Sequence, residues 1–160
     1  MQSQAQGRLV GWVAIALQGV IFVAVGLSAF ADGPGFGGSW WAGSTVVLLG
    51  ALGMFWAGKD LGRALTPLPT PNGAGLAAAG IYAYVRHPMY ASIIVIALGL
   101  ALGSGRWWTF AFTVLLAAFF EAKTRIEEIY LLREYPGYRD YAARTGKFVP
   151  GGGKLPRPPA

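Results

Sequence analysis

The sequence predicts an all-α, polytopic membrane protein with about four transmembrane helices and a cytosolic C-terminal helical segment. The chain is 160 residues long, of which 54% are hydrophobic and only 12% are charged. Soluble domains usually carry about 25% charged residues, so lipid is the expected main solvent. The apolar residues fall into long runs, and the basic residues fall almost entirely between or after those runs. Together these observations predict the fold class.

Four apolar runs without charged residues are the expected transmembrane segments, at residues 9–31, 40–58, 88–105 and 107–120. Backbone groups in lipid must satisfy their own hydrogen bonds, so each run is predicted to be helical. The fourth run is short for a bilayer, but no helix-breaking residue occurs in 121–134, which predicts one long helix that leaves the membrane. We therefore expect one membrane domain over residues 1–150 and a mobile Gly/Pro-rich tail over 151–160.

The basic residues predict the orientation. With a cytosolic N-terminus, every Lys and Arg except Arg106 lies on the cytosolic side, as the positive-inside rule requires. Both termini are then cytosolic in a multi-pass protein, and we expect the inner membrane of a bacterium or archaeon. The segment Ala29-Phe30-Ala31 resembles a signal-peptide cleavage site, but the preceding apolar run exceeds the roughly 7–15 residues of a signal sequence. A retained first helix is predicted.

Composition excludes several kinds of site. The chain has no cysteine, so it forms no disulfide or thiolate metal site, and no metal is predicted. The net charge of +6 suits anionic lipid, and no basic groove motif indicates nucleic acid. Residues 33–38 match G-x-G-x-x-G, but they fall in a short loop between membrane helices. Dinucleotide binding needs a preceding strand, so this match is not interpreted as a cofactor site.

The first candidate cluster lies at residues 80–90. Arg86 and His87 directly precede Pro88, which suits the first turn of a helix. Free backbone N–H groups and the positive end of the helix dipole make such a position suitable for an anion. The block also contains the tyrosines Tyr82, Tyr84 and Tyr90. The alternative is interfacial anchoring, in which the arginine snorkels and the tyrosines lie among the lipid headgroups.

The second candidate cluster lies at residues 121–128, just after the fourth apolar run. On a helix, Glu128 shares a stripe with Arg125 and Glu121, whereas Glu127 shares another with Lys123. We expect Glu127 to form an exposed pair with Lys123, and Glu128 to be held by Arg125 for a functional role. The alternative is a solvated face of ion pairs that contribute about 0.2–0.5 kcal/mol each.

Several further blocks occur with these clusters in a recognisable order. They are Leu61-Gly62-Arg63, Thr66-Pro67, residues 80–90, Glu127-Glu128-x-x-Leu131-Leu132, Tyr138-x-x-Tyr141 and Phe148-Val149-Pro150. Over residues 59–150 the chain resembles the membrane methyltransferases that include isoprenylcysteine carboxyl methyltransferases and phosphatidylethanolamine N-methyltransferases. It departs from them at Ile81, where proline is common, and at Tyr135-Pro136-Gly137, where Phe-Gly is usual.

The resemblance implies a methyltransferase that uses S-adenosylmethionine, releases S-adenosylhomocysteine and acts on a lipophilic or prenylated acceptor from the bilayer. It places the cofactor site in 59–90 and 121–150, with Arg86 and His87 on the methionine carboxylate and Glu128 on the ammonium. The implied cofactor-binding residues are Tyr82, Tyr84, Val85, Arg86, His87, Pro88, Tyr90, Glu128, Tyr138 and Tyr141. The implied catalytic residues are Arg125, Glu128 and His87.

The nature of the acceptor stays open. A carboxylate acceptor needs no general base, whereas an amine must first lose a proton, for which His87 or a glutamate is the candidate. A non-catalytic membrane protein that keeps this fold for binding or assembly is the alternative function. A transporter or channel subunit is a third, but the first three apolar runs contain no charged residue to mark a substrate path.

Overall fold

Five α-helices make up most of the protein in the computed structural model, which describes residues 2–62 and 75–155, with side chains from residue 11 onward. No β-strand occurs in these residues, so the predicted all-α class is confirmed. The predicted blocks at Arg63 and Thr66-Pro67 and the tail from residue 156 lie outside them. The helices are α1 (Gln2–Phe30), α2 (Trp40–Leu61), α3 (Pro88–Ser104), α4 (Trp107–Glu134) and α5 (Tyr138–Arg144), with a 3₁₀ helix at Gly80–Ala83.

Two of the described helices are long and apolar enough to cross a membrane, over Gly11–Phe30 and Trp40–Leu61. Helix α3 is equally apolar but has 17 residues, and α4 is interrupted by charges in its second half. Both candidate spans expose large apolar side chains, including Trp12, Leu27 and Leu52. Helices that present such side chains outward are typical of lipid-facing surfaces.

Helices α2 and α3 pack closely because glycines line their contact. A Cβ added to Gly43 would lie 2.5 Å from the Cα of Gly103, and one added to Gly99 would lie 2.7 Å from the backbone N of Val47. Small residues allow helix backbones to approach in this way within a membrane. The Gly99-x-x-x-Gly103 pair therefore serves helix contact inside the chain. Gly105 then ends α3 in the left-handed region, at φ +62°.

Gly99→Ala is expected to lower the thermal unfolding midpoint in detergent, because the new methyl group would overlap the backbone of α2. Overpacking of this kind typically costs about 1–3 kcal/mol. Gly26→Ala is the matched control, since nothing lies within 4 Å of its added Cβ. The control should unfold at or slightly above the wild-type midpoint, because alanine favours helices. Equal midpoints for both variants would contradict the close contact.

Helix α4 connects the membrane core to the candidate site. Its first half packs against α1 and α3 in a buried cluster that comprises Ile21, Val25, Ala97, Leu116 and Phe120. The helix continues without a break to Glu134, as expected, and its 28 residues extend about 42 Å. Beyond its end, Tyr138, Tyr141 and Ala142 form a second buried cluster. The charged residues of α4 therefore lie between two apolar clusters.

The G-x-G-x-x-G match lies in the connection between α1 and α2, with no strand before it in the described chain. Backbone hydrogen bonds hold this loop to the turn between α3 and α4. Phe36 N–H donates to the Gly105 carbonyl at 2.8 Å, and Trp107 N–H donates to the Pro34 carbonyl at 3.2 Å. The glycines therefore allow close backbone contact between two loops.

Candidate active site

The loop before α3 is anchored by an aspartate that the sequence analysis did not single out. Asp60, near the end of α2, accepts a hydrogen bond from the backbone N–H of Ile81 at 2.8 Å. The backbone of Gly80 is left-handed at φ +60°, and a Cβ there would collide with the Asp60 carboxylate. A side chain at residue 80 would therefore strain the backbone and displace the Asp60 carboxylate from its hydrogen bond. In the sequence, Asp60 could have been noticed as an acidic residue that closely follows an apolar run.

The guanidinium of Arg86 holds the C-terminal segment against this loop. Its Nε donates to Glu128 Oε1 at 2.9 Å, its Nη1 to the carbonyls of Ala142 (3.1 Å) and Thr145, and its Nη2 to the Gly153 carbonyl at 2.9 Å. The side chain is 1% exposed. We call this set of contacts the Arg86 clamp. Its donors are largely satisfied by the protein itself.

Backbone hydrogen bonds extend the same contact. The N–H groups of Arg86 and His87 donate to the carbonyls of Gly146 (2.8 Å) and Lys147 (3.0 Å). The first residues of the predicted mobile tail also take part, since Leu155 N–H donates to the Ala142 carbonyl at 3.1 Å. The described end of the chain is therefore tied to the loop that precedes α3.

Glu128 and His87 form the second part of the site. His87 Nε2 lies 3.2 Å from Glu128 Oε1, and its Nδ1 lies 3.8 Å from Glu127 Oε2. Burial alone would raise the pKa of Glu128, but the hydrogen bond with His87 and the charge of Arg86 outweigh it and lower that pKa. Glu128 is therefore an ionised anchor for both basic side chains.

A cavity of about 430 Å³ opens between the ends of α1, α3 and α4 and the segment around α5. Small-molecule sites commonly occupy about 300–1,000 Å³. Glu127 lines the cavity, and its Oε2 is buried without a hydrogen-bond partner among the described residues. Burial raises the pKa of Glu127, although His87 and Lys123 oppose that rise. The Tyr138 hydroxyl, from another wall, is likewise buried and unpartnered in the described chain.

The two adjacent glutamates do not have the surroundings that were predicted for them. Glu127 was expected to be an exposed partner of Lys123, but its side chain is only 16% exposed and faces the cavity. Glu128 was expected to be held by Arg125, but Arg86 and His87 hold it instead. The predicted pairings were wrong because helical spacing considers only neighbours within α4. The loop before α3 supplies the closer basic side chains, Arg86 and His87.

Arg125 is corrected in the same way. It is 73% exposed and pairs with Glu121 one turn earlier, which also binds Lys147 at 2.8 Å. Its side chain does not line the cavity. The contact predicted between Arg125 and Glu128 is absent from the described residues, and the catalytic role of Arg125 stays a prediction.

The other predicted residues separate into three groups. Six of them line the cavity: Tyr82, Arg86, His87, Tyr90, Tyr138 and Tyr141. Three are buried beside it without lining it: Val85, Pro88 and Glu128. Tyr84, which directly follows the 3₁₀ helix, is 68% exposed and lies outside the cavity, so its contact with the cofactor stays a prediction.

Tyr141 also has a structural task. Its hydroxyl donates to the Tyr82 carbonyl at 2.6 Å, which fixes α5 to the 3₁₀ helix. Burial raises the pKa of Tyr141 to about 12, so this hydroxyl stays protonated as a donor at neutral pH.

Lys123 and Gln18 line the cavity but were not predicted as site residues. Lys123 is buried, and its Nζ donates to Gln18 Oε1 of α1 at 2.7 Å. Lys123 also lies over the ring of Tyr90, 5.0 Å from its centroid. Gln18 was visible in the sequence only as a polar interruption of the first apolar run, and periodicity within α4 could not connect it to Lys123.

Comparison with known proteins gives two matches. A family model described as phospholipid methyltransferase matches residues 39–137. A curated relative is the Protein-S-isoprenylcysteine O-methyltransferase of Schizosaccharomyces pombe (strain 972 / ATCC 24843), which is 36% identical over 73 residues. That alignment covers 44% of this chain and 31% of the relative, so the chain matches about a third of the relative's length.

Proposed function

The chain belongs to the phospholipid methyltransferase family, and from that premise we propose that it transfers a methyl group from S-adenosylmethionine to a lipophilic acceptor. The observation that carries the proposal is the cavity whose wall contains Glu127, with one carboxylate oxygen buried and without a hydrogen-bond partner among the described residues. The match to a phospholipid methyltransferase model and the similarity to an isoprenylcysteine O-methyltransferase also support it, and they confirm the resemblance inferred from the sequence motifs.

The residues of the cavity fit the proposed cofactor. S-adenosylmethionine carries an ammonium group and hydroxyl groups, which can donate to the unpartnered oxygens of Glu127 and Tyr138. Buried polar atoms without partners are costly in a protein alone, so a bound ligand that supplies donors accounts for them. Apolar and aromatic side chains, among them Leu131 and Tyr82, provide surfaces for the adenine.

We assign the ammonium contact to Glu127 in place of Glu128, because Glu127 reaches the cavity and Glu128 is occupied by Arg86 and His87. Arg86 acts mainly as a positioning residue, since its N–H groups already bind three carbonyls and a carboxylate. His87 lines the cavity, and we assign to it the transfer of a proton where the acceptor needs one.

When bound, S-adenosylmethionine supplies an activated methyl group. The protein's own contribution is to orient the two reactants and exclude water. Stacking on Tyr90, with centroids 5.8 Å apart, fixes the plane of the His87 ring, while Glu128 fixes its Nε2 side. This arrangement leaves the Nδ1 side of His87 facing Glu127. A proton taken from an amine acceptor could therefore pass to His87, whereas a carboxylate acceptor would not use this path.

We also propose that all four long helices lie in the membrane and that both termini face the cytosol. Helix α3 has 17 residues, at the lower limit for a span, and the first half of α4 supplies the fourth. The cavity then lies at the cytosolic surface, where the cofactor is available, and the apolar residues Ile15 and Ile93 line its bilayer side.

Reporter fusions test this topology. A cytosolic reporter joined to either end of the chain is expected to be active, whereas a reporter that works only outside the membrane should be active when inserted after Gly37, in the α1–α2 loop. An outward-facing C-terminus would contradict both the topology and the cytosolic cofactor site.

The function itself is tested on the detergent-purified chain. S-adenosylhomocysteine is expected to bind in calorimetric titration, and labelled S-adenosylmethionine should transfer its methyl group to an S-isoprenylated cysteine or a phosphatidylethanolamine. Binding without transfer to any lipophilic acceptor would favour a non-catalytic binding protein. Absence of binding in a folded sample would contradict the proposed function.

A further inference from the structure

A buried lysine on the membrane side of the cavity has no carboxylate partner. All seven acidic residues of the chain lie in its described part, and Lys123 forms an ion pair with none of them. Its ammonium has three donors, of which Gln18 accepts one. The residue is 4% exposed. The charge of Glu127, one helical turn away, offsets only part of the cost of burying this ammonium, which makes Lys123 a candidate for ligand binding.

The position of Lys123 separates it from the proposed ammonium site. It precedes Glu127 by one helical turn, about 6 Å along α4 toward the apolar core. Its partner Gln18 lies within the membrane-spanning stretch Gly11–Phe30, and Ile15 of the same helix lines the cavity beside it. This end of the cavity is where a molecule entering from lipid would arrive.

We propose that Lys123, oriented by Gln18, binds an anionic group of the lipophilic acceptor at the membrane side of the cavity. The inference rests on the proposed function and deepens it, because it names the chemistry by which the acceptor is recognised. Gln18 accepts one N–H and directs the remaining donors of the ammonium, while the ring of Tyr90 covers one side of it. The anion is either a carboxylate on an S-isoprenylated cysteine or the phosphodiester of a phospholipid headgroup.

Two pairs of probes distinguish these sources. N-acetyl-S-farnesylcysteine is compared with its methyl ester, and dihexanoylphosphatidylethanolamine is compared with dihexanoylglycerol, each by calorimetry with S-adenosylhomocysteine present. The wild-type chain is expected to prefer the member that bears the carboxylate or the phosphodiester in one of the pairs, by about 10-fold or more, as for charge-assisted hydrogen bonds. The pair that shows the preference identifies the source of the anion.

Lys123→Gln is expected to abolish that preference while the chain still binds S-adenosylhomocysteine. Lys123→Arg keeps the positive charge and should retain most of the preference. A loss seen only in Lys123→Gln is then due to the missing charge and not to misfolding. Lys154→Gln is the matched control, because Lys154 is exposed and lies outside the cavity. It should behave as wild type.

Two outcomes would overturn the inference: no anion preference in the wild-type chain, or an undiminished preference in Lys123→Gln. A loss of S-adenosylhomocysteine affinity in Lys123→Gln with the preference intact would also overturn it, and would assign the lysine to the cofactor carboxylate. These binding measurements need no turnover. An anion preference that depends on Lys123 in a chain without methyl transfer would therefore support this inference while contradicting the proposed function.

Discussion

Glu127→Gln is expected to weaken binding of S-adenosylhomocysteine by about 10- to 150-fold and to remove most methyl transfer. The physical reason is the loss of a charge-assisted hydrogen bond to the ligand ammonium, which contributes about 1.5–3 kcal/mol. The same substitution should stabilise the unliganded protein, because it removes a buried carboxylate oxygen that has no partner in the described chain. Calorimetric titration and thermal unfolding of the same samples measure both effects.

The pH dependence of stability provides an independent check. Burial raises the pKa of Glu127 in the folded protein, so the folded state binds a proton that the unfolded state has released. Wild-type stability relative to Glu127→Gln should therefore fall as pH rises from the ordinary carboxylate range through the raised pKa. A flat difference between the two proteins across that range would show that Glu127 is not buried as an unpartnered acid.

Glu128→Gln is the comparison variant. It should lower the unfolding midpoint, because Arg86 would lose its anionic partner while remaining 1% exposed. Any loss of cofactor affinity should then follow the loss of stability. The contrary result is a Glu128→Gln chain that is as stable as wild type yet binds S-adenosylhomocysteine much more weakly, with no loss of affinity in Glu127→Gln. That result would assign the ammonium contact to Glu128.

Arg86→Ala is expected to have the largest effect on stability. Four hydrogen bonds of the Arg86 clamp would be lost, and the Glu128 carboxylate would keep only His87 as a partner. Removing one member of a buried ion pair typically costs about 3–5 kcal/mol. We expect a much lower thermal midpoint in detergent and faster proteolysis of the segment after α5.

Arg133→Ala serves as the control, because Arg133 is exposed on the last turn of α4. Arg133→Ala should have the same thermal unfolding midpoint as the wild type. Arg86→Ala with an unchanged midpoint but weak S-adenosylhomocysteine binding would contradict the positioning role, and would support the direct contact with the methionine carboxylate that the motif resemblance implied.

The sequence was sufficient to predict the all-α class and most of the helix positions. Charge-free runs indicated the helices because lipid requires internally satisfied backbones, and α4 continues past Phe120 as expected. The Arg-His-Pro block and the Glu-Glu block do meet, at Arg86, His87 and Glu128. Hydropathy therefore located the helices, and the motif blocks located two segments that contact each other.

Contacts between distant segments could not be obtained in this way. Spacing within α4 paired Glu128 with Arg125, whereas the actual partner Arg86 lies 42 residues earlier in the chain. Gln18 and Lys123 are 105 residues apart. Such partners depend on how the helices rotate relative to each other, and that rotation is set by packing that includes the close glycine contact of α2 and α3.

The Arg86 clamp grips carbonyl oxygens of the main chain, at Ala142, Thr145 and Gly153, and none of the side chains there. Carbonyls are common to all residues, so the clamp recognises the path of the backbone. The clamp therefore constrains the spacing of these three carbonyls along the chain rather than the side chains that Ala142 and Thr145 carry. Inserting or deleting a residue between 142 and 153 would shift a carbonyl out of reach, so the clamp measures the length of this segment.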